Sequence, residues 1–306
     1  MYWSTLSLLS LAAVPTIAVV RFHCSELVVE RLDPLVNPGS IPSSHVHQIV
    51  GSNAFNATMA LDKDLPAEST CTSCQFTEEF SNYWTAVLYF RARNGTYKRV
   101  PQLGNNQFEK ANGGLTSKVK AFQPGCLMFI GNVCQLTCVC MDTWTMRAPE
   151  TMAFPTRKIF DSPDHMSHMS YPESGIFESG GPCPATHPVR VGQVMFEVVW
   201  DTKKFNDLEW PEDGSSPWVW SFGDATGYPT HADYVFGWKD DSLQRILDTS
   251  CWFNTNCINE SNSKVQTVEK MNECTQKVVV DEDIDSWLEE LPMGFRRITV
   301  IFDWCS

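Results

Sequence analysis

The chain has 306 residues, a length that allows one large domain or two modest ones. Hydrophobic residues make up 43% of it and charged residues 19%, so a globular protein is expected rather than a disordered one. The net charge of −13 argues against a nucleic-acid partner and against adhesion to anionic membranes, because both depend on a basic surface.

The N-terminal segment predicts secretion. Residues 5–18 read TLSLLSLAAVPTIA without a charge, too short to span a bilayer but typical of a signal-peptide core. We predict a signal peptide over residues 1–18, cleaved after Ala18, and a secreted protein that is extracellular or in the cell wall. No later apolar run is long enough for a membrane span, so no membrane association is expected after signal removal. Three glycosylation sequons fit a secretory route, at Asn56, Asn94 and Asn259.

The regular structure is predicted to be mainly β. Strand-like runs cover Leu27 to Leu32, Tyr83 to Arg93, Val194 to Trp200 and Arg297 to Phe302. The run YWTAVLYFRAR is followed by Asn-Gly and then by TYKRV, which predicts a hairpin with a type I′ turn. Helical spacing is sparse and indicates two short helices, over 240–250 and 283–291.

Long stretches without periodicity, 161–185 and 210–230, predict loops over this β scaffold, where functional residues tend to lie. No repeat or low-complexity linker divides the chain. We therefore expect residues 19–306 to form a single domain, a β-sandwich or jelly roll with long loops and a few short helices.

Twelve cysteines are typical of an oxidising compartment. The C-x-x-C at 71–74 and the C-x-C at 138–140 could hold zinc through thiolates. In a secreted protein, disulfides are the favoured interpretation, and their connectivity cannot be derived from the sequence.

Histidines mark the first candidate site. His45 and His47 form an H-x-H motif, which on a strand places both side chains on one face about 7 Å apart. Such a pair can chelate one metal ion, and His45, His47 and His231 are the candidate ligands for zinc or copper. We expect one cleft lined by four histidines and an aspartate, with two more histidines at its rim: His45, His47, His187, His231 and Asp233, then His165 and His168. The alternative is that each histidine separately makes structural hydrogen bonds.

Carboxylates and tryptophans mark two further candidates. Glu197 lies between apolar residues of a predicted strand, where desolvation would raise its pKa and suit it to general acid catalysis. The alternative places Glu197 on a half-exposed sheet face near Arg190. Trp210, Trp218 and Trp220 could stack on sugar faces as substrate-binding residues, or could instead anchor their loop on the core.

Several ordered segments resemble a known family. They include CSELVVERLDPLVNPG, IPSSHVHQIVGSNAFN, SPDHMSHMSYP, GPCPATHPVRV and HADYVFGWKDDSLQRILDTSC. The chain is similar, over about residues 20–125 and 160–291, to the secreted fungal domain-of-unknown-function family nineteen ninety-six. Some members carry WSC-type carbohydrate-binding domains, and by association this resemblance implies a cell-wall or polysaccharide setting.

The segments 126–160 and 292–306 depart from the family pattern. The family's F-P-x-C-W-D-G motif is replaced by FPTRKIFDSPDH, which removes a cysteine and an acidic residue of the presumed site. A mis-spliced gene model is our preferred explanation, and genuine divergence is the alternative.

Two functional hypotheses follow from these residues. The first is a wall- or polysaccharide-directed protein that cleaves glycosidic bonds. As a hydrolase it would use Glu197 and Asp233 as paired carboxylates; as a lyase it would use a histidine, His187 or His231, as base while Arg190 neutralises a uronate. The second is a non-catalytic extracellular protein that binds a metal or a glycan through its histidines. No phosphate loop, dinucleotide fingerprint, zincin or serine-esterase motif is present.

Overall fold

The computed structural model describes residues 18–60, 62–110, 127–131, 144–147, 153–154, 185–186, 189–190, 193–249 and 256–293. Strands dominate these residues, as the sequence predicts. In chain order the strands are β1 (Ala18–Phe22), β2 (Glu26–Glu30), β3 (His47–Gly51), β4 (Asn82–Ala86), β5 (Leu88–Arg91), β6 (Tyr97–Arg99), β7 (Gln102–Lys110), β8 (Leu127–Gly131), β9 (Trp144–Arg147), β10 (Ala153–Phe154), β11 (Val189–Arg190), β12 (Gln193–Trp200), β13 (Trp218–Trp220) and β14 (His231–Val235). The helices are α1 (Leu65–Glu68), α2 (Ser242–Leu247), α3 (Asn256–Glu260) and α4 (Val268–Glu273), with one 3₁₀ turn at Thr202–Phe205.

Two antiparallel sheets form the body of the fold. One has the strand order β2-β3-β4-β14-β8 and the other the order β1-β7-β12-β9. A single apolar core contains Tyr83 and Tyr234 from the first sheet together with Phe22, Val198 and Trp200 from the second. The predicted sandwich-like, mainly β architecture is therefore confirmed, and burial of this core is its main source of stability.

The central strands β3, β4 and β14 of the five-stranded sheet are buried on both faces. Alternate residues of its strands contribute to a second core, which includes Ile49, Trp84 and Val235 and is closed by the loop residues Phe55 and Met59. Every residue of β3, β4 and β14 is buried. A strand covered on both sides reads as a nearly continuous apolar run, so the polar residues within these strands stand out.

The run YWTAVLYFRAR is not one strand. It divides at Val87 into β4, which belongs to the five-stranded sheet, and β5, which pairs with β6 and β13 in a separate three-stranded sheet. Val87 itself donates its N–H to the carbonyl of Val46. Both halves are equally apolar, so the composition predicts strand but carries no signal for the change of sheet.

The predicted hairpin is confirmed, but its turn type was wrong. β5 and β6 pair antiparallel, and Gly95 has a φ of 87°. Among the described non-glycine residues only Asp240 and Asn262 have positive φ, so Asn94 does not adopt the conformation that a type I′ turn requires. Gly95 N–H donates to the Ala92 carbonyl, and glycine takes the left-handed position that follows this turn without the steric cost of a side chain.

One helix prediction is confirmed and the other is wrong. α2 buries Leu243, Ile246 and Leu247 on one side, as its spacing indicates. The segment 283–291 is instead extended and turned, because Leu288 exchanges both backbone hydrogen bonds with Tyr97 of β6, at 2.8 and 2.9 Å. This backbone pairing competes with the helix and prevails.

Two disulfides tie the described part of the chain together. Cys24 bonds to Cys74, and Cys71 bonds to Cys274 across 203 positions. The C-x-x-C motif therefore supplies two different disulfides rather than a zinc site. The pairing of the other eight cysteines remains a prediction, because their side chains lie outside the described part. Within the described ranges, no helix is long and apolar enough to cross a membrane.

Candidate metal centre

The register of three neighbouring strands brings His47 and His231 together. His47 at the start of β3 is opposite Ala86 of β4, and Ala232 of β14 is opposite Thr85. Extending that register by one residue places His231 level with Ala86. The small alanine between them leaves room for both rings above β4, and His45 joins them from the residues just before β3.

The three imidazoles form a compact buried cluster. The ring centroids of His45 and His47 are 4.2 Å apart, and those of His45 and His231 are 5.2 Å apart. One nitrogen of each ring lies within 4.8 Å of the others. Nε2 of His45 and Nε2 of His231 are separated by 3.2 Å, close to the spacing of about 3.3 Å between two nitrogens that share a tetrahedral zinc ion.

The backbone fixes which nitrogen of His231 faces the cluster. Its Nδ1 lies 2.9 Å from the carbonyl oxygen of Pro229, which can only accept a hydrogen bond. The proton of neutral His231 therefore resides on Nδ1, and the lone pair of Nε2 points toward His45. A carbonyl acceptor behind a metal-binding histidine commonly sets the tautomer in this way. Nδ1 of His45 is likewise occupied, at 2.9 Å from the hydroxyl of Ser44.

His47 carries the least satisfied polar group of the cluster. Its side chain is fully buried, and neither ring nitrogen has a hydrogen-bond partner of standard geometry. The carbonyl of Leu32 lies near enough to favour its protonated form, but only weakly. An unsatisfied buried donor or acceptor costs about 1–3 kcal/mol, and coordination of a metal ion would remove that cost.

Burial keeps all three histidines neutral. Desolvation lowers the pKa of His47 to about 4, against a smaller opposing effect of Asp33. Desolvation also lowers the pKa of His45 well below its usual value and lowers that of His231. Neutral imidazole is the form that ligates a metal, so the cluster is in its binding form at neutral pH.

Two buried aspartates lie beside the histidines. Asp33 electrostatically favours the protonated forms of His47 and His231, and its Oδ1 accepts the N–H groups of Leu35 and Val36. Asp233 follows His231 by two residues in β14 and therefore lies on the same face. Burial, together with the charge of Asp33, raises the pKa of Asp233 well above its ordinary value, and neither carboxyl oxygen has a hydrogen-bond partner.

Phe222 forms an apolar wall of the cluster. Its ring centroid lies 5.3 Å from those of both His45 and His231. Phe222 also stacks on Trp220, with the ring planes 2° apart. This packing excludes water from the imidazoles and restricts their rotation.

The structure brings together part of the predicted composite site. His45, His47 and His231 meet, and Asp233 shares their sheet face. The other three histidines of the prediction, His165, His168 and His187, lie outside the described residues. Glu197 is in β12 of the four-stranded sheet, whereas Asp233 is in the five-stranded sheet, and Arg190 lies in β11. The catalytic pairing of Glu197 with Asp233 and the role of Arg190 remain predictions.

The predicted sugar-binding tryptophans differ in exposure. Trp220 is buried, Trp218 is partly buried and Trp210 is 40% exposed. The glycosylation candidates Asn56, Asn94 and Asn259 are all exposed, as a glycan acceptor must be. Sugar binding by these tryptophans and glycosylation of these asparagines stay predictions.

Sequence reasoning missed Asp33 and Phe222. Asp33 lies in the segment LDPLVNPG, where an aspartate before proline indicates a turn rather than a site. Phe222 follows two tryptophans and reads as one more core aromatic. Only the spatial arrangement assigns either residue to the cluster.

A β-sandwich with a buried three-histidine cluster is thus the class of protein that the fold and site define. A family model described as "Domain of unknown function (DUF1996)" matches residues 33–158 and 135–238. The chain belongs to this family. No curated protein and no solved structure matches the chain.

Proposed function

We propose that this is a secreted, cell-wall- or polysaccharide-directed protein that binds a divalent transition metal through His45, His47 and His231. The observation that carries the proposal is the state of His47. Its ring is fully buried, neither nitrogen has a hydrogen-bond partner of standard geometry, and it lies beside a His231 whose Nδ1 is held by the Pro229 carbonyl so that Nε2 faces the cluster. A metal ion converts this unfavourable arrangement into a favourable one.

The donor set favours zinc or copper. Imidazole nitrogen suits both metals, whereas calcium and magnesium require oxygen ligands. Three histidines leave a further coordination position for water or a ligand. The charge of Asp33 partly offsets that of a cation in this dry environment.

The extracellular setting rests on independent support. The described part of the chain contains two disulfides, which persist in oxidising compartments. The sequons are exposed, and cleavage after Ala18 would leave β1 almost complete. Mass spectrometry of protein from the culture medium should detect a mature chain that begins close to Val19; a chain that retains Met1 contradicts this part.

Cleavage of glycosidic bonds is the second candidate, and the state of Asp233 favours it. Burial raises its pKa well above the ordinary value and so favours the protonated carboxyl, the form that a general acid needs. Because Asp233 is fully buried, however, a polysaccharide cannot reach it without rearrangement, so metal binding is the better-supported function. If this second candidate is correct, Asp233→Asn abolishes polysaccharide cleavage while metal content is unchanged.

Metal content of the purified protein tests the main proposal. We expect about one zinc or copper ion per chain by plasma mass spectrometry. After removal by a chelator, titration calorimetry should show one site. A ligand at 100 times its Kd stabilises the fold by about 2.7 kcal/mol, which thermal unfolding will detect.

Single substitutions locate the site. His45→Ala, His47→Ala and His231→Ala should each abolish stoichiometric binding. His23→Ala is the matched control, because His23 is half-buried and lies outside the cluster. Binding that survives His47→Ala, or that is lost in the His23 control, contradicts the proposal.

A further inference from the structure

Four aromatic rings contact one another in a row at the three-stranded sheet. Trp218 of β13 is opposite Phe90 of β5, and their ring centroids are 5.6 Å apart. Trp210 packs on Trp218 at 6.0 Å, and Trp287 packs on Phe90 at 6.4 Å. Two segments that are distant in the chain, 210–218 and the one that contains Trp287, thus place three tryptophans beside one buried phenylalanine. We call Trp210, Trp218 and Trp287 the tryptophan surface.

The two outer rings are exposed although each is fixed in place. Trp210 is 40% exposed and Trp287 is 46% exposed. The indole N–H of Trp210 donates to the carbonyl of Phe205 at 3.0 Å, so the polar atom of that ring points inward. Trp287 precedes Leu288, whose backbone is paired with Tyr97. Fixed aromatic rings lose little conformational entropy when a ligand binds.

Polar side chains of both signs border the tryptophan surface. Arg93 donates to the carbonyl of Trp210 and forms an ion pair with Glu212 at 3.2 Å. Arg91 donates to Ser215, whose N–H donates to Asp213. These groups are planar or short hydrogen-bonding groups next to flat apolar faces. That combination suits a ligand with alternating C–H faces and hydroxyl edges.

Charge selects among the possible ligands. The basic groups of this border are paired with acidic or hydroxyl groups, and the chain carries a net charge of −13. Nucleic acids, anionic lipids and polyuronates are therefore disfavoured. We propose that the tryptophan surface binds a neutral polysaccharide by stacking on its pyranose rings. This inference deepens the polysaccharide-directed part of the proposed function and does not depend on the metal site.

Pull-down on insoluble glycans tests the inference. The probes are microcrystalline cellulose, chitin and a linear β-1,3-glucan, and all proteins carry Asn94→Gln so that no glycan at this neighbouring sequon covers the surface. The parent protein should bind at least one of them. Trp210→Ala and Trp287→Ala should each weaken that binding about two- to tenfold, the contribution of one aromatic contact.

Matched variants separate stacking from folding. Trp287→Phe retains a flat ring and should keep most of the binding, whereas Val268→Ala removes an equally exposed apolar side chain in α4 and should change nothing. Circular dichroism reports whether each variant is folded, and metal content is measured separately, so a failed glycan result does not count against the metal site. Absence of binding to all three glycans, or binding unaffected by both tryptophan changes, overturns the inference. Dimerisation abolished by these changes would also overturn it, by assigning the surface to a second copy of the chain.

Discussion

Two buried polar clusters lie on opposite faces of the same sheet and differ in how their polar atoms are satisfied. Toward the inner core, Tyr83 and Tyr234 of β4 and β14 meet Glu79 and Ser81. On the outer face, His47, His231 and Asp233 project from β3 and β14. Both clusters are excluded from water, so burial alone does not distinguish them.

The inner cluster is a closed network. Glu79 accepts hydrogen bonds from the N–H of Ser81 at 2.5 Å and from the hydroxyl of Tyr83 at 3.2 Å. The Ser81 hydroxyl donates to Tyr234 and accepts from the N–H of Gly237. In the outer cluster, by contrast, His47 and Asp233 retain unpartnered atoms. Buried polar atoms in a closed network already have hydrogen-bond partners, whereas buried polar atoms without partners indicate a site for a ligand.

The largest expected effect comes from opening the closed network. Glu79→Ala leaves a cavity and removes the acceptor of two buried donors, so we expect it to lower the free energy of unfolding by about 3 kcal/mol or more. Chemical denaturation of the metal-free protein measures this loss. A loss below about 1 kcal/mol would show that the network contributes little, and the contrast with the outer face would disappear.

An intermediate effect concerns pH. Burial raises the pKa of Glu79 from 4.5 to about 8, although the hydrogen bonds from Ser81 and Tyr83 oppose the increase. Between these values the folded protein holds a proton that the unfolded chain releases, so this group lowers stability as pH rises from about 4.5 to about 8.

Glu79→Gln removes the titration while retaining the shape. Relative to the variant, the wild type should lose about 2 kcal/mol of stability between pH 5.5 and 7.5. Denaturant unfolding at several pH values measures the difference between the two proteins. If the free energies of unfolding of the two proteins change in parallel with pH over this range, Glu79 does not retain its proton in the folded state.

The smallest effect should come from the outer face. His47→Leu replaces an unsatisfied imidazole with an apolar side chain, so the metal-free protein should keep its stability within about 1 kcal/mol or gain some. Tyr83→Phe is the matched change on the inner face and should destabilise by about 1–2 kcal/mol, because a hydrogen bond to Glu79 is lost. Equal losses of unfolding free energy in both variants would mean that the polar groups of the two faces contribute equally to stability.

The sequence predicts the class of fold and half of the candidate site. Alternating apolar residues predict the strands, and the two-residue spacing of His231 and Asp233 places both on one face of β14. His45 has the same spacing from His47 but precedes β3. Convergence of His47 with His231 depends on the register of β3 and β14 with β4 and on the small size of Ala86. Pairing between strands far apart in the chain leaves no trace in either segment alone.

Long-range backbone contacts also explain the wrong predictions. Residues 283–291 have apolar side chains at helical spacing, yet Ile284, Leu288 and Leu291 pack on a small core with Tyr89 from an extended backbone. Helix propensity describes a segment in isolation. Here the edge strand β6 provides backbone hydrogen bonds to this segment that favour an extended conformation over a helix. The Asn-Gly signal located the hairpin correctly because glycine was needed there in either turn type.

The edge of β2 has a consequence for biosynthesis. This strand ends the five-stranded sheet, and its outer side is occupied by a much later segment: Gln276 donates to the carbonyl of Leu27, and Glu30 accepts the N–H groups of Val279 and Val280. The last contacts join residues 249 and 250 positions apart. A nascent chain that has emerged only to α2 therefore presents an uncovered strand edge, a ready template for aggregation. We therefore expect productive folding to require protection of this edge, by a chaperone or by rapid completion of synthesis, until residues 276–280 cover it.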